Sequence, residues 1–133
     1  MNADEIVFLD VEDVIELHAE QLAVYGGSAG LRDRGLLESA VAQPQASFGG
    51  ALAHDGLFAM AAAYMFHIVS NHPFVDGNKR AGVLTALVFL DINGISIAHP
   101  SDALYQLTMG GAEGHIDKSA VARELERIAR EKA

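Results

Sequence analysis

The side chains most able to do chemistry lie together between positions 72 and 80, which read H-P-F-V-D-G-N-K-R. This stretch holds an imidazole, a carboxylate, an amide and two cations, in a chain that is half apolar. An apolar, helix-forming run ends just before it at Asn71, and another begins near Asn78. A polar loop held between two core helices can keep reacting groups in fixed positions.

The second half of this stretch predicts an anion site. A loop that turns into a helix at Gly77 presents free backbone N–H groups at the positive end of the helix dipole, where phosphate binds well. Gly77 allows the backbone to approach closely and to take a positive φ. Lys79 adds a point charge, and Arg80 adds a planar fork that can bind phosphate oxygens. Asn78 could either orient the loop or touch a phosphate through its amide.

The first half could supply the reacting groups. The Asp76 carboxylate, directly before the cradle, is a suitable ligand for Mg²⁺ on the phosphates. The His72 imidazole could accept the proton of an attacking hydroxyl at neutral pH. Phe74 is expected to turn inward and anchor the loop. Together these groups indicate phosphoryl or nucleotidyl transfer from a nucleotide. Taken singly, each residue also fits ordinary turn and helix-start chemistry.

The elements that must position this loop are predicted to be helices. Apolar residues recur at helical spacing, and aspartates, glycines and a proline mark the helix ends. We expect one domain over residues 1–133, folded as an all-α bundle of about six helices with minimal strand. The helices are expected near residues 11–25, 34–43, 57–71, 78–92, 102–109 and 117–132.

Three other features have open interpretations. Ile6 to Leu9 could be a short strand or a packed arm. His18 lies on the apolar stripe of the first helix, where a hydrogen-bonded core histidine is favoured over a ligand. Residues 44–56 are rich in Gly, Ser and Ala, and are predicted to form a long irregular segment. Such a segment is either a recognition edge for a partner or a plain connection.

Composition restricts the function. The 133 residues carry a net charge of −9 and contain no cysteine. The acidic balance disfavours direct nucleic-acid binding, and the lack of cysteine excludes disulfides and thiolate metal sites. The N-terminus lacks the features of a signal peptide, and no apolar run is long enough to span a bilayer, so a cytoplasmic location is expected. No histidines and carboxylates have the spacing of a hydrolytic metal site. The remaining loop histidines are predicted to be surface residues: His54, His99 and His115.

The stretch from His72 to Arg80 resembles the motif of the Fic/Doc family without a gap. The segment G-G-S-A-G-L-R-D-R-G-L-L-E-S-A-V-A-Q-P and the later F-L-D-I-N-G resemble the death-on-curing, or Doc, branch. The resemblance implies an all-α Fic fold that uses ATP and Mg²⁺. It implies that His72 is the base, that Asp76 binds the metal, and that Phe74 anchors the loop. It assigns the nucleotide phosphates to Gly77, Asn78, Lys79 and Arg80.

Two positions bear on the reaction. Many adenylyl-transferring members have glycine at the position of Lys79 and a second arginine at that of Val83. Both differences resemble the Doc branch, which implies transfer of the ATP γ-phosphate to elongation factor Tu and arrest of translation. Adenylyl transfer is the alternative, and a non-catalytic binding module is a third. The glutamate motif of self-inhibited members is missing, since Arg123 lies four residues after Ser119. Inhibition by a separate antitoxin protein is therefore expected.

Overall fold

The computed structural model describes residues 5–48, 51–97, 104 and 117–131, and this part of the chain holds five α-helices. The predicted all-α class is confirmed. The helix expected near 102–109 lies outside the described residues except for Leu104, which is buried. Within the described part no helix has the length and apolar character needed to cross a membrane. The helices are α1 (Val11–Tyr25), α2 (Arg34–Ala42), α3 (Leu57–Asn71), α4 (Asn78–Ile92) and α5 (Lys118–Glu131).

The helix ends follow from local capping chemistry, as the sequence predicts. Asp10 and Asp13 form a reciprocal capping box at the start of α1, with both N–H to carboxylate distances at 2.9 Å. Asp33 accepts a hydrogen bond from Leu36 N–H at 3.0 Å and caps α2. At the end of α4, Gly94 takes φ 95°, and the next N–H donates back to the Leu90 carbonyl at 2.9 Å. These bonds satisfy groups that a helix end would otherwise leave unpaired.

Helix α3 lies at the centre of the core, in contact with α2, α4 and α5. Its small residues allow this, because Ala61, Ala62 and Ala63 are fully buried. Helices α3 and α4 approach closely at Gly82, where a Cβ atom would lie 2.9 Å from Val69 Cγ2. The two helices that flank the residue 72–80 loop are therefore packed directly against each other.

The segment before α1 is a packed arm and not a strand. The Tyr64 hydroxyl donates to the Leu9 carbonyl at 3.0 Å and accepts from the Leu9 N–H at 2.9 Å. Two residues earlier, the Asn93 amide pairs in the same two-way manner with the backbone of Val7, at 2.8 and 2.9 Å. Burial raises the pKa of Tyr64 to about 12, so the phenol stays protonated in both roles. Two side chains thus bind the backbone groups of the arm that a neighbouring strand would bind in a sheet.

The described residues between 44 and 56 are more regular than the sequence indicated. A 3₁₀ turn at Gln43–Gln45 follows α2 directly, and two short antiparallel strands, β1 (Ser47–Phe48) and β2 (Ala51–Leu52), come after it. The Ala53 N–H closes the pair by donating to the Ala46 carbonyl at 2.8 Å. The prediction of an irregular segment is wrong here, because the strands are too short to show a period of two.

His54 does not lie free on the surface, and that prediction is wrong. Lys118, at the start of α5, places its Nζ 3.0 Å from His54 Nε2 and 3.2 Å from His67 Nε2 in α3. The ammonium also lies 5.0 Å above the Phe66 ring. Burial and then the Lys118 charge lower the pKa of His54, and the same causes lower that of His67 to about 4. His99 and His115 lie outside the described residues.

Gly82→Val is expected to lower the free energy of unfolding by about 1–3 kcal/mol, because the branched side chain would force α3 and α4 apart. Valine is a better helix former than glycine, so a loss must come from packing. Urea denaturation measures the change. Ser39→Val, at an exposed position of α2, is the matched control and should shift stability by less than about 0.5 kcal/mol. Unchanged stability of Gly82→Val would contradict the close approach.

Stability is expected to fall as the pH drops from about 6.5 to about 4. The pKa of His67 is about 4 in the folded protein, against 6.5 ordinarily. Between these two values the unfolded chain binds a proton at His67 and the folded protein does not, so protonation favours unfolding. His67→Gln, which keeps a hydrogen-bond acceptor and cannot titrate, should flatten this part of the profile. Thermal unfolding followed by circular dichroism at pH 7, 5.5 and 4.5 measures it. Parallel wild-type and variant profiles would refute the assignment.

Candidate functional site

The residue 72–80 loop is folded around two side chains that point inward. The Phe74 ring is buried and stacks on the His18 ring, with centroids 3.8 Å apart and planes 5° from parallel. The Asn78 side chain accepts from the Phe74 N–H and donates to the Phe74 carbonyl, both at 2.9 Å. Phe74 is therefore the expected anchor. Of the two roles considered for the Asn78 amide, the geometry favours orienting the loop, since the amide is buried and occupied.

His72 ends α3 with an exposed side chain and an unusual backbone. Its φ of 53° and ψ of 52° lie in the left-handed region, and no other described residue except glycine has a positive φ. Any side chain with a β-carbon makes this conformation costly, so surrounding contacts must hold it. The Arg32 guanidinium donates from Nε to the His72 carbonyl at 2.8 Å and from Nη2 to the Asn71 carbonyl at 3.1 Å. The imidazole itself is left on the surface.

Asp76 presents an exposed carboxylate whose orientation is set by backbone groups. Its Oδ2 accepts from the Ser28 N–H at 3.1 Å, and its Oδ1 accepts from the Gly77 N–H at 2.9 Å. The Ser28 hydrogen bond is the largest cause of a lowered pKa at Asp76, followed by that of Gly77, and the Arg80 charge acts in the same direction. The group is thus an anion at neutral pH, as a ligand for a hard cation must be.

Helix α4 begins beside this carboxylate with its N-terminal N–H groups uncapped by any side chain among the described residues. Gly77 precedes it with φ 78°. The backbone here lies against α1: His18 Nε2 is 2.7 Å from the Asp76 carbonyl, and a Cβ on Gly77 would overlap the Gln21 amide. Gln21 is buried, and its amide has no hydrogen-bond partner among the described residues. Glycine at position 77 therefore suits the positive φ and also the close approach of the Gln21 side chain.

The two cations occupy the first turn of α4. Lys79 is half-buried, and Arg80 is exposed. The Arg80 guanidinium stacks over the Tyr25 ring at 4.5 Å from its centroid, which places a cation–π contact at the edge of the site. Tyr25 is the last residue of α1 and is 64% exposed, so this contact leaves Arg80 available to a ligand.

Sequence reasoning missed the residues that support this loop from outside it. They lie at the end of α1 and in the turn that follows, and they are Gln21, Tyr25, Ser28 and Arg32. The run G-G-S-A-G between α1 and α2 was the available signal, because glycines concentrated beside a polar loop often permit close backbone approach. A Cβ on Gly27 would indeed lie 2.9 Å from Asp76 Oδ2.

The arrangement is suited to binding a phosphorylated ligand. An uncapped helix N-terminus, a flanking arginine and lysine, and an adjacent carboxylate together fit a phosphate that carries a divalent cation. Among the described residues no group of three or more His, Asp or Glu could hold a metal on protein ligands alone. A Mg²⁺ ion would therefore use the Asp76 carboxylate with oxygens from the ligand, which is how this ion is commonly bound beside nucleotides.

Comparisons with known proteins identify the family of this chain. Residues 8–90 match the model of the Fic/DOC family, a range that covers α3 and all but the last two residues of α4. The chain is 45% identical over 95 residues to Toxin Doc of Mycolicibacterium smegmatis, covering 71% of each chain. It is 37% identical over 117 residues to Protein kinase doc of Escherichia phage P1, covering 88% of this chain and 91% of that one.

The chain therefore belongs to the Fic/Doc family. Both relatives place it in the Doc branch, as a Doc-like toxin.

Gly77→Ala is expected to destabilise the protein by about 1–3 kcal/mol, since it adds strain at positive φ and a clash with Gln21. Gly94→Ala is the matched control: its φ is 95°, but an added Cβ meets nothing within 4 Å. The difference between the two variants in urea denaturation isolates the clash. Equal losses would show that the Gln21 contact has no effect. Gln21→Ala combined with Gly77→Ala should recover part of the loss.

Proposed function

We propose that this protein is a kinase-type toxin that transfers the γ-phosphate of ATP to a hydroxyl group of a protein target. The observation that carries the proposal is the combination at the start of α4. The N–H groups there are uncapped by side chains of the described residues, Lys79 and Arg80 lie in the first turn, and the Asp76 carboxylate lies beside them. The relative named Protein kinase doc matches along 88% of the chain and supports the same reaction.

One buried position favours phosphoryl over adenylyl transfer. Val83 is 3% exposed and belongs to the apolar core, so it offers no second cation to a triphosphate. Lys79 adds a side chain and a charge at a position where many adenylyl-transferring members of the family have glycine. Both differences would change how the phosphates lie across the cradle. Adenylyl transfer remains the alternative reaction.

In the proposed reaction, His72 accepts the proton of the target hydroxyl as its oxygen attacks the γ-phosphorus. The bond between that phosphorus and the β–γ bridging oxygen breaks, and ADP leaves. The α4 N–H groups, Lys79 and Arg80 stabilise the charge on the phosphate oxygens. A Mg²⁺ ion held by Asp76 would supply further neutralisation of that charge.

The target and the inhibitor are proposed on the basis of the Doc resemblance. Elongation factor Tu is the proposed target, and its modification would arrest translation. In α5, Ser119 is followed four residues later by Arg123, which is exposed. The glutamate of self-inhibited members is thus missing at this position. A separate antitoxin protein that inhibits in trans is the partner we propose. The edge formed by β1 and β2 is the candidate surface for holding the target.

Purified protein incubated with elongation factor Tu and ATP labelled at the γ-phosphate is expected to label the target. ATP labelled at the α-phosphate should transfer nothing. Transfer of α-label would instead establish adenylyl transfer. Binding of ATP without transfer of either label, to elongation factor Tu or to any protein in a bacterial lysate, would indicate a non-catalytic binding module.

Replacing His72 is expected to lower the transfer rate by about 10²–10⁴-fold, the usual effect of removing a general base. Two variants separate chemistry from backbone strain. His72→Ala removes the imidazole, and His72→Asn removes it while keeping a residue that tolerates the left-handed conformation. Both should be inactive in the label assay and should no longer arrest growth when expressed. An active His72→Asn protein would contradict the assignment of His72 as the base.

A further inference from the structure

Three successive backbone carbonyls at the entrance to the residue 72–80 loop accept hydrogen bonds from one short segment. The Arg32 side chain donates to the carbonyls of Asn71 and His72, at 3.1 and 2.8 Å. The backbone N–H groups of Arg32 and Asp33 both donate to the Pro73 carbonyl, at 2.7 and 3.0 Å. These bonds span about 40 residues of sequence, so they are tertiary contacts and not part of either helix.

The same segment continues along the loop as an antiparallel pairing. Leu31 forms a bridge with Phe74, and the Val75 N–H donates to the Gly30 carbonyl at 3.0 Å. The loop is thus bound at its backbone on one side, while Phe74 anchors it on the other. Arg32 differs from the rest of the segment because it uses a side chain, which can be replaced without removing the backbone pairing.

The position of these bonds matters because of the His72 conformation. A histidine at φ 53° is held away from the favoured backbone regions, and the direction of its side chain depends on that backbone. The carbonyls that Arg32 binds lie on both sides of the His72 φ and ψ bonds. A guanidinium can donate to two acceptors in a fixed geometry, which an ammonium cannot do.

We propose that Arg32 is a positioning residue that holds His72 in its left-handed conformation and so directs the imidazole toward the target hydroxyl. This inference rests on the proposed function, in which His72 is the base. Arg32 uses two of its donors on backbone carbonyls, so its role is to fix the base and not to bind phosphate. Loss of Arg32 should therefore slow the chemical step and leave both substrates bound as before.

The test is steady-state kinetics of γ-phosphate transfer for Arg32→Ala, Arg32→Lys and Arg32→Gln. Arg32→Ala is expected to lower kcat about 10- to 100-fold, the size of effect seen when a reacting group is displaced by about 1 Å. KM for ATP and for the target should stay within about 2-fold, because no interaction shared by ground state and transition state is removed. Arg32→Lys keeps the charge but loses the forked guanidinium, so its kcat should lie between those of Arg32→Ala and the wild type.

Arg34→Ala is the matched control. Arg34 lies two residues further on, is likewise exposed, and pairs with Glu12 and Glu38, away from the loop. It should retain wild-type kcat and KM. Circular dichroism at the assay temperature checks that each variant is folded. If Arg32→Ala does not fold, Arg32→Gln, which keeps side-chain N–H donors, takes its place in the kinetic test.

Several results would overturn the inference. Wild-type kcat in folded Arg32→Ala or Arg32→Gln would remove the role altogether. A rise in KM with unchanged kcat would make Arg32 a substrate contact, and full activity in Arg32→Lys would reduce its role to charge. In each case an inactive His72→Asn protein leaves the proposed function standing. If the wild-type protein transfers no label, both proposals fail together.

Discussion

The site depends on one closed pair of hydrogen bonds between the Asn78 amide and the backbone of Phe74. A buried amide bonded at both ends forces the four residues before α4 into a compact turn, since an unpaired group there would carry the full cost of desolvation. Within that turn the Asp76 carboxylate reaches the Gly77 N–H. The charged groups can therefore remain exposed while the backbone that carries them is rigid.

The residues that would react and the residues that hold them come from different parts of the chain. The residues that would react lie within the loop over residues 72–80. The residues that hold them are supplied by α1 and the turn after it, where His18 binds the Asp76 carbonyl at 2.7 Å and Ser28 binds the Asp76 carboxylate at 3.1 Å. Support from a separate element fixes a loop more firmly than contacts within it. Helix α1 and the turn after it are thus as much a part of the site as the motif itself.

Sequence patterns were sufficient for the five described helices, but they missed the pair of short strands and much of the support of the site. Local chemistry determines the helix ends, so the caps at Asp10, Asp33 and Gly94 could be read directly. The motif could be read because its residues are adjacent. Contacts such as Arg32 with His72 involve exposed side chains about 40 residues apart, and no periodicity reports them. No periodicity reports the contact of Lys118 with His54 either, since the two residues are 64 positions apart in the sequence.

The N-terminal arm shows when during synthesis this fold can be completed. The backbone of Val7 is bonded to Asn93, 86 residues later, and that of Leu9 to Tyr64, 55 residues later. A growing chain cannot make the first of these contacts until α4 has left the ribosome. Long-range contacts of this kind are formed late, after the entropy of closing the loop has been lost. The arm is therefore expected to dock after α3 and α4 have packed together, onto helices that already carry the site.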